Sequence, residues 1–179
     1  MNKNDLINFE NDIALSFKSK KILSPIHLYY GNEDNIIKVF KKINPQDWIF
    51  CSWRSHYQCL LKGVPPKQIK SSIFEGKSIS LCFPKYRIYS SAMVAGSIPI
   101  AVGTALSLKI KKVKNTKVYC FMGEMTSETG VAHESIKYSR NFNLPIHFVI
   151  EDNKLSVCTD TRKSWNQKKL TYEGINDKF

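Results

Sequence analysis

The sequence predicts an α/β fold with a parallel sheet flanked by helices, and three observations carry that expectation. Lys117-Val-Tyr-Cys-Phe-Met122 and Pro145-Ile-His-Phe-Val-Ile150 are short apolar runs of the kind seen in strands buried on both faces. Between them, residues 128–142 place Val131, Ala132, Ile136 and Phe142 on one side of a helix. Strand, helix and strand at this spacing make a right-handed crossover between parallel strands. Ligands of such sheets bind beyond the carboxyl ends of the strands. Those two ends carry Gly123-Glu124 and Glu151-Asp152-Asn153.

The other elements follow in order. Residues 4–19 set Leu6, Ile7, Phe9, Ile13, Ala14 and Phe17 at helical spacing, with Asn4 or Asp5 as the expected cap. Residues 31–42 read as a second helix and Asp47-Trp-Ile-Phe-Cys-Ser52 as a short buried strand. Residues 55–63 read as a helix closed by Gly63 and then Pro65-Pro66. Gly76 to Ser91 lacks periodicity and is expected as a loop, long enough to hint at function. Ala92–Lys111 is expected as a small-residue helix, and the tail from Thr161 is polar and lysine-rich. One domain over residues 1–160 and a polar tail over 161–179 are expected.

Composition narrows the function classes. The net charge is +12, mostly lysine and spread along the chain, with the densest run at Lys109-Ile-Lys-Lys-Val-Lys-Asn-Thr-Lys117 between two apolar segments. That run reads as a solvated connection, and no helix-turn-helix, ribonucleoprotein or zinc-finger pattern accompanies it, so no nucleic-acid partner is expected. The longest apolar stretch, near Ala92–Leu108, is interrupted by Gly96, Pro99 and Gly103, so no membrane span is expected. The five cysteines, Cys51, Cys59, Cys82, Cys120 and Cys158, show no C-x-x-C spacing. They read as reduced thiols of a cytoplasmic protein.

The strand ends suggest a chemistry. Gly123 would let the backbone turn sharply beside a ligand. The amides at 124–127, just ahead of a helix, favour an anion such as a diphosphate. Glu124 offers a hard carboxylate oxygen, Asn153 an amide oxygen, and Leu155 a backbone carbonyl. With diphosphate and water, that set suits magnesium. The same residue types also cap turns and helices without binding anything.

Gly123-Glu124-Met125, followed thirty residues after Gly123 by Asn153, resembles the thiamine diphosphate fingerprint of Gly-Asp-Gly, about thirty residues, then Asn-Asn. Further segments resemble one branch, the alpha subunit of two-subunit 2-oxo acid dehydrogenase E1 components. These are His27-Leu-Tyr-Tyr-Gly31-Asn-Glu33, Trp53-Arg54-Ser55-His56, Val94-Ala-Gly-Ser-Ile-Pro99, His133-Glu134 and Asn143-Leu-Pro145. The resemblance runs from about residue 26 to 160 and implies the thiamine diphosphate-binding fold, here its diphosphate-binding half.

It also implies roles. Glu124, Asn153 and the Leu155 carbonyl would hold Mg²⁺, and Gly123 and Met125 would flank the diphosphate. Arg54 would pair with the diphosphate, Trp53 would replace a tyrosine donor, and Val94 would face the aminopyrimidine. His56 would lie near the active-site mouth as a catalytic candidate. The cofactors would be thiamine diphosphate and Mg²⁺, and the substrate a small 2-oxo acid. A beta subunit would supply the glutamate that activates the cofactor, within an α2β2-type assembly. A transketolase-like or decarboxylase split subunit, or a non-catalytic partner-binding relative, are the alternatives.

The chain departs from the pattern in places. Glu124 stands for aspartate, and its extra methylene extends the carboxylate by about 1.5 Å. Met125 stands for glycine and Asp152 for the first asparagine. Gly76-Lys-Ser-Ile-Ser80 lacks the histidine of the matching family loop. Family alpha subunits continue well beyond the asparagine, whereas this chain stops at Phe179, as a fragment or as a short subunit completed by another chain.

Overall fold

The computed structural model describes residues 1–172. Helix α1 (Lys3–Lys18) starts with a capping box in which Asn2 and Asp5 exchange side-chain and backbone hydrogen bonds. The cap is therefore Asn2 rather than Asn4 or Asp5, because Asp5 serves as the reciprocal third residue. Helix α2 (Glu33–Phe40) leads to strand β1 (Trp48–Cys51), then helix α3 (His56–Leu61) and helix α4 (Pro66–Phe74). Gly63, at φ +89°, follows the end of α3, and Pro66 begins α4, since a proline at the first helical position loses no hydrogen bond.

The expected loop at Gly76–Ser91 instead holds two short strands, β2 (Cys82–Phe83) and β3 (Ile88–Ser90), an antiparallel pair. Helix α5 (Ser97–Ile110) begins five residues later than expected, because Ser91–Gly96 forms a tight turn with Ala95 at φ +60°. Strand β4 (Val118–Gly123) runs straight into the short helix α6 (Glu124–Ser127), and helix α7 (Gly130–Asn141) follows. Strand β5 (Ile146–Glu151) leads to a hairpin of β6 (Leu155–Ser156) and β7 (Thr159–Asp160), then helix α8 (Thr161–Ser164).

The main sheet has the order β2-β3-β1-β4-β5, and all its pairings are parallel except β2 with β3. Alternation along the strands divides the core into two layers. Ile49, Cys51, Tyr119, Phe121 and Val149 face Leu6, Ile13, Ile36, Tyr57 and Ile69 from helices α1–α4. Phe50, Val118, Cys120, Met122, Phe148 and Ile150 face Ile98, Ala101, Ala105, Ala132 and Ile136 from α5 and α7. Both faces of the central strands are thus covered, as a parallel sheet requires. The tail does not simply trail into solvent: Leu170 and Tyr172 are buried in the second layer. The rest of the expected tail, 173–179, lies outside the described residues. Cys51, Cys59 and Cys120 are buried thiols, whereas Cys82 and Cys158 are exposed. Among the described residues no helix is long and apolar enough to cross a membrane.

Candidate active site

Parallel pairing lines up the carboxyl ends of β3, β1, β4 and β5 along one edge. Four segments leave from there: Ser91–Val94, Ser52–Arg54, Gly123–Met125 and Glu151–Asn153. The register sets Gly123 opposite Glu151, so the two strand ends read from the sequence are adjacent.

Gly123 has an ordinary extended backbone (φ −73°, ψ 159°), so no sharp turn requires glycine there. Its value is space: a methyl group placed on it would meet no described atom within 4 Å. The amides expected ahead of a helix lie within one, because α6 starts at Glu124 itself. Glu124 is only 3 % exposed. Burial pushes its carboxyl pKa up, and Asp152 adds to this, while Thr161 and Arg162 oppose it. The Thr161 hydroxyl donates to Glu124 Oε1 at 3.3 Å. The Trp165 indole N–H points at Met125 Sδ.

Asn153 is exposed, and its amide oxygen accepts from the Leu155 N–H at 2.9 Å in a local turn. Asp152 takes a two-point ion pair from Arg162, at 2.5 and 3.2 Å. Arg54 stacks its guanidinium over the Tyr29 ring at 5.9 Å, and among the described residues its buried Nε–H has no hydrogen-bond partner. Trp53 packs on the His27 ring at 5.9 Å. Burial, then the nearby Arg54 charge, lowers the His27 pKa. Val94 is 59 % exposed on the turn before α5.

His56, expected near the active-site mouth, stands inside the fold. Its ring is fully buried, with Nδ1 2.8 Å from Glu10 Oε1 and Nε2 2.9 Å from Ser78 Oγ. A carboxylate can only accept, so Nδ1–H donates to Glu10, while Nε2 bonds the Ser78 hydroxyl, which can donate or accept. Both nitrogens are committed, and the residue ties α1, α3 and the Gly76–Ser80 turn together rather than facing open space.

A second polar cluster, to which no role was expected from the sequence, adjoins this edge. Glu151 is half-buried and accepts from Tyr29 Oη (3.0 and 3.1 Å), Asn32 Nδ2 (2.9 Å) and Gln58 Nε2 (3.4 Å). Burial pushes its pKa up to about 7, with Tyr29, Arg54 and Asn32 opposing the rise and Glu124 adding to it. Beside it a cavity of about 420 Å³ runs along β5, lined by Asn32, Ile36, Val39, Phe121, Val149 and Asp152 among others.

A family model described as the dehydrogenase E1 component matches residues 1–178 of the chain. The chain belongs to the dehydrogenase E1 component family. Among the curated relatives of this E1 chain is the alpha subunit of acetoin:2,6-dichlorophenolindophenol oxidoreductase from Bacillus subtilis (strain 168). It is 29% identical over 166 residues, which cover 87% of this chain and 49% of the relative. The pyruvate dehydrogenase E1 component subunit alpha of Porphyra purpurea is 27% identical over 166 residues, covering 84% of this chain and 48% of its own. The subunit alpha of the same enzyme from Rickettsia bellii (strain RML369-C) is 25% identical over 179 residues, covering 94% and 55%. The E1 chain thus spans about half the length of the curated relatives it matches.

Proposed function

We propose that this E1 chain is an alpha-type subunit that anchors the diphosphate of thiamine diphosphate through Mg²⁺ and works with a beta subunit on a 2-oxo acid. The buried Nε–H of Arg54, orphaned among the described residues, carries this reading, because a buried donor without an acceptor is costly and an anionic ligand would supply one. The open space at Gly123 and the hard oxygens of Glu124 and Asn153 support it further.

In this reading Glu124, Asn153 and the Leu155 carbonyl hold the metal. Arg54 pairs with the diphosphate, Gly123 and Met125 flank it, and the Trp53 indole supplies a donor. The backbone near Val94 faces the aminopyrimidine. Bound there, thiamine diphosphate supplies an electron sink for cleavage of the bond beside a carbonyl. The residues of this chain fix its position, and fixed position lowers the entropic part of the barrier. The beta subunit contributes the activating glutamate in an α2β2-type assembly, so this chain alone is inactive.

One observation favours a second reading. Thr161 engages Glu124, and Trp165 covers Met125, so the segment after β7 lies across the proposed ligand groups. A non-catalytic relative would keep that cover. Turnover by the chain mixed with a beta-type subunit, thiamine diphosphate and Mg²⁺ separates the two. Pyruvate, branched-chain oxo acids and acetoin are the substrates to offer, acetoin because a relative is named for it. Product from any of them supports the enzyme, while cofactor binding without turnover of any supports the second reading.

A further inference from the structure

We propose that Glu151 is a positioning residue of this site: its carboxylate sets where Arg54 stands relative to Glu124 and Asn153. The inference rests on the diphosphate reading above. Glu151 is the last residue of β5, opposite Gly123 in the register and two residues before Asn153. Its side chain turns away from the proposed metal ligands, toward the layer of α2 and α3, where Tyr29, Asn32 and Gln58 converge on it.

Tyr29 connects this carboxylate to Arg54. Its hydroxyl lies 3.0 Å from the Arg54 carbonyl as well as against Glu151, and it accepts from Gln58 Nε2. A tyrosine has one proton to give, so carboxylate and carbonyl share it. The Tyr29 ring is the surface beneath the Arg54 guanidinium. The ring also stacks on Tyr57 with centroids 4.5 Å apart at 10°. Tyr57 is pinned in turn by donating to Glu33 Oε1 at 3.0 Å, the same oxygen that accepts from Gly31 N. Because the carboxylate takes part of that single proton, it sets how the Tyr29 hydroxyl holds the Arg54 backbone.

A glutamine at 151 keeps an acceptor oxygen for the Tyr29 hydroxyl. Among the described residues Gln58 Oε1 is buried without a partner, so a turn of the Gln58 amide would let it accept from the new side-chain N–H, giving up the Nε2 bond to Tyr29 Oη. An alanine removes the acceptors.

The test is a double-mutant cycle on the full chain mixed with a beta-type subunit, titrated calorimetrically with thiamine diphosphate in Mg²⁺. Glu151→Ala is expected to weaken binding by about 10–100-fold, as loss of an outer-shell partner does. Glu151→Gln is expected to restore most of that loss. In an Arg54→Ala background, Glu151→Ala is expected to cost almost nothing further, since its effect runs through Arg54. The same fold-loss with and without Arg54 would show a general structural role and overturn the inference, as would unchanged binding by Glu151→Ala. If the unaltered chain bound no cofactor, the proposed function would fall and this inference with it.

Discussion

At the scale of single residues, His56 and Glu10 make the sharpest stability prediction. Burying a carboxylate is tolerable only while its partner is present. His56→Ala leaves Glu10 buried beside an empty space and is expected to cost about 3–5 kcal/mol in denaturant unfolding. His56→Gln, which keeps a donor, is expected to cost clearly less. Equal losses for the two would contradict the tie described here. This pair also marks what the sequence could have revealed. Glu10 sits four residues from Leu6 and three from Ile13 on the buried stripe of α1, and an acid on an apolar face announces a buried partner. Its partner was not legible, because it lies 46 residues away and the Ser78 contact 22 residues away. Glu151 was hidden differently: an acid after a strand reads as a turn cap until the register shows what converges on it.

Elements were legible where burial leaves a pattern. Strands β1, β4 and β5 are covered on both faces and so appear as apolar runs. Strands β2 and β3 were not, being two and three residues long around Pro84 and Tyr86. The start of α5 was missed because Ser91–Gly96 carries helix-forming residues in a turn. That turn is tight: a methyl group on Gly96 would stand 2.8 Å from Met93 Cβ and 3.0 Å from Ser91 Oγ. Gly96→Ala is therefore expected to destabilise by about 1–3 kcal/mol, and thermal unfolding that matches the parent would refute the close approach.

Strand β5 offers a pH test. His147 stacks on Tyr119, and burial, then the Lys117 charge, lowers its pKa below the ordinary 6.5. The folded state thus prefers the neutral ring. That contribution to stability is whole above the unfolded value and is lost as pH falls through the lower folded value. His147→Gln should flatten the acid limb of a stability–pH profile below neutral pH, and an unchanged limb would assign that slope elsewhere.

The whole molecule is a three-layer domain whose four parallel strand ends bring distant segments of sequence to one edge. Family membership and fold were legible because the fingerprint falls on strand ends, which any parallel sheet places side by side. The cover supplied by Thr161, Arg162 and Trp165 was not, since a polar, lysine-rich segment gives no sign of folding back. If that cover opposes ligand entry, Trp165→Ala should tighten cofactor binding, and weaker binding would make Trp165 part of the site instead.

The central claim is a Mg²⁺-dependent diphosphate anchor at Glu124 and Asn153. Its most direct test is calorimetric titration of thiamine diphosphate into the chain with a beta-type subunit, with Mg²⁺ and with the metal chelated, for the parent and for Glu124→Ala. The account predicts binding that requires both Mg²⁺ and Glu124. Equal affinity for Glu124→Ala, or no binding by the parent under any of these conditions, would contradict it.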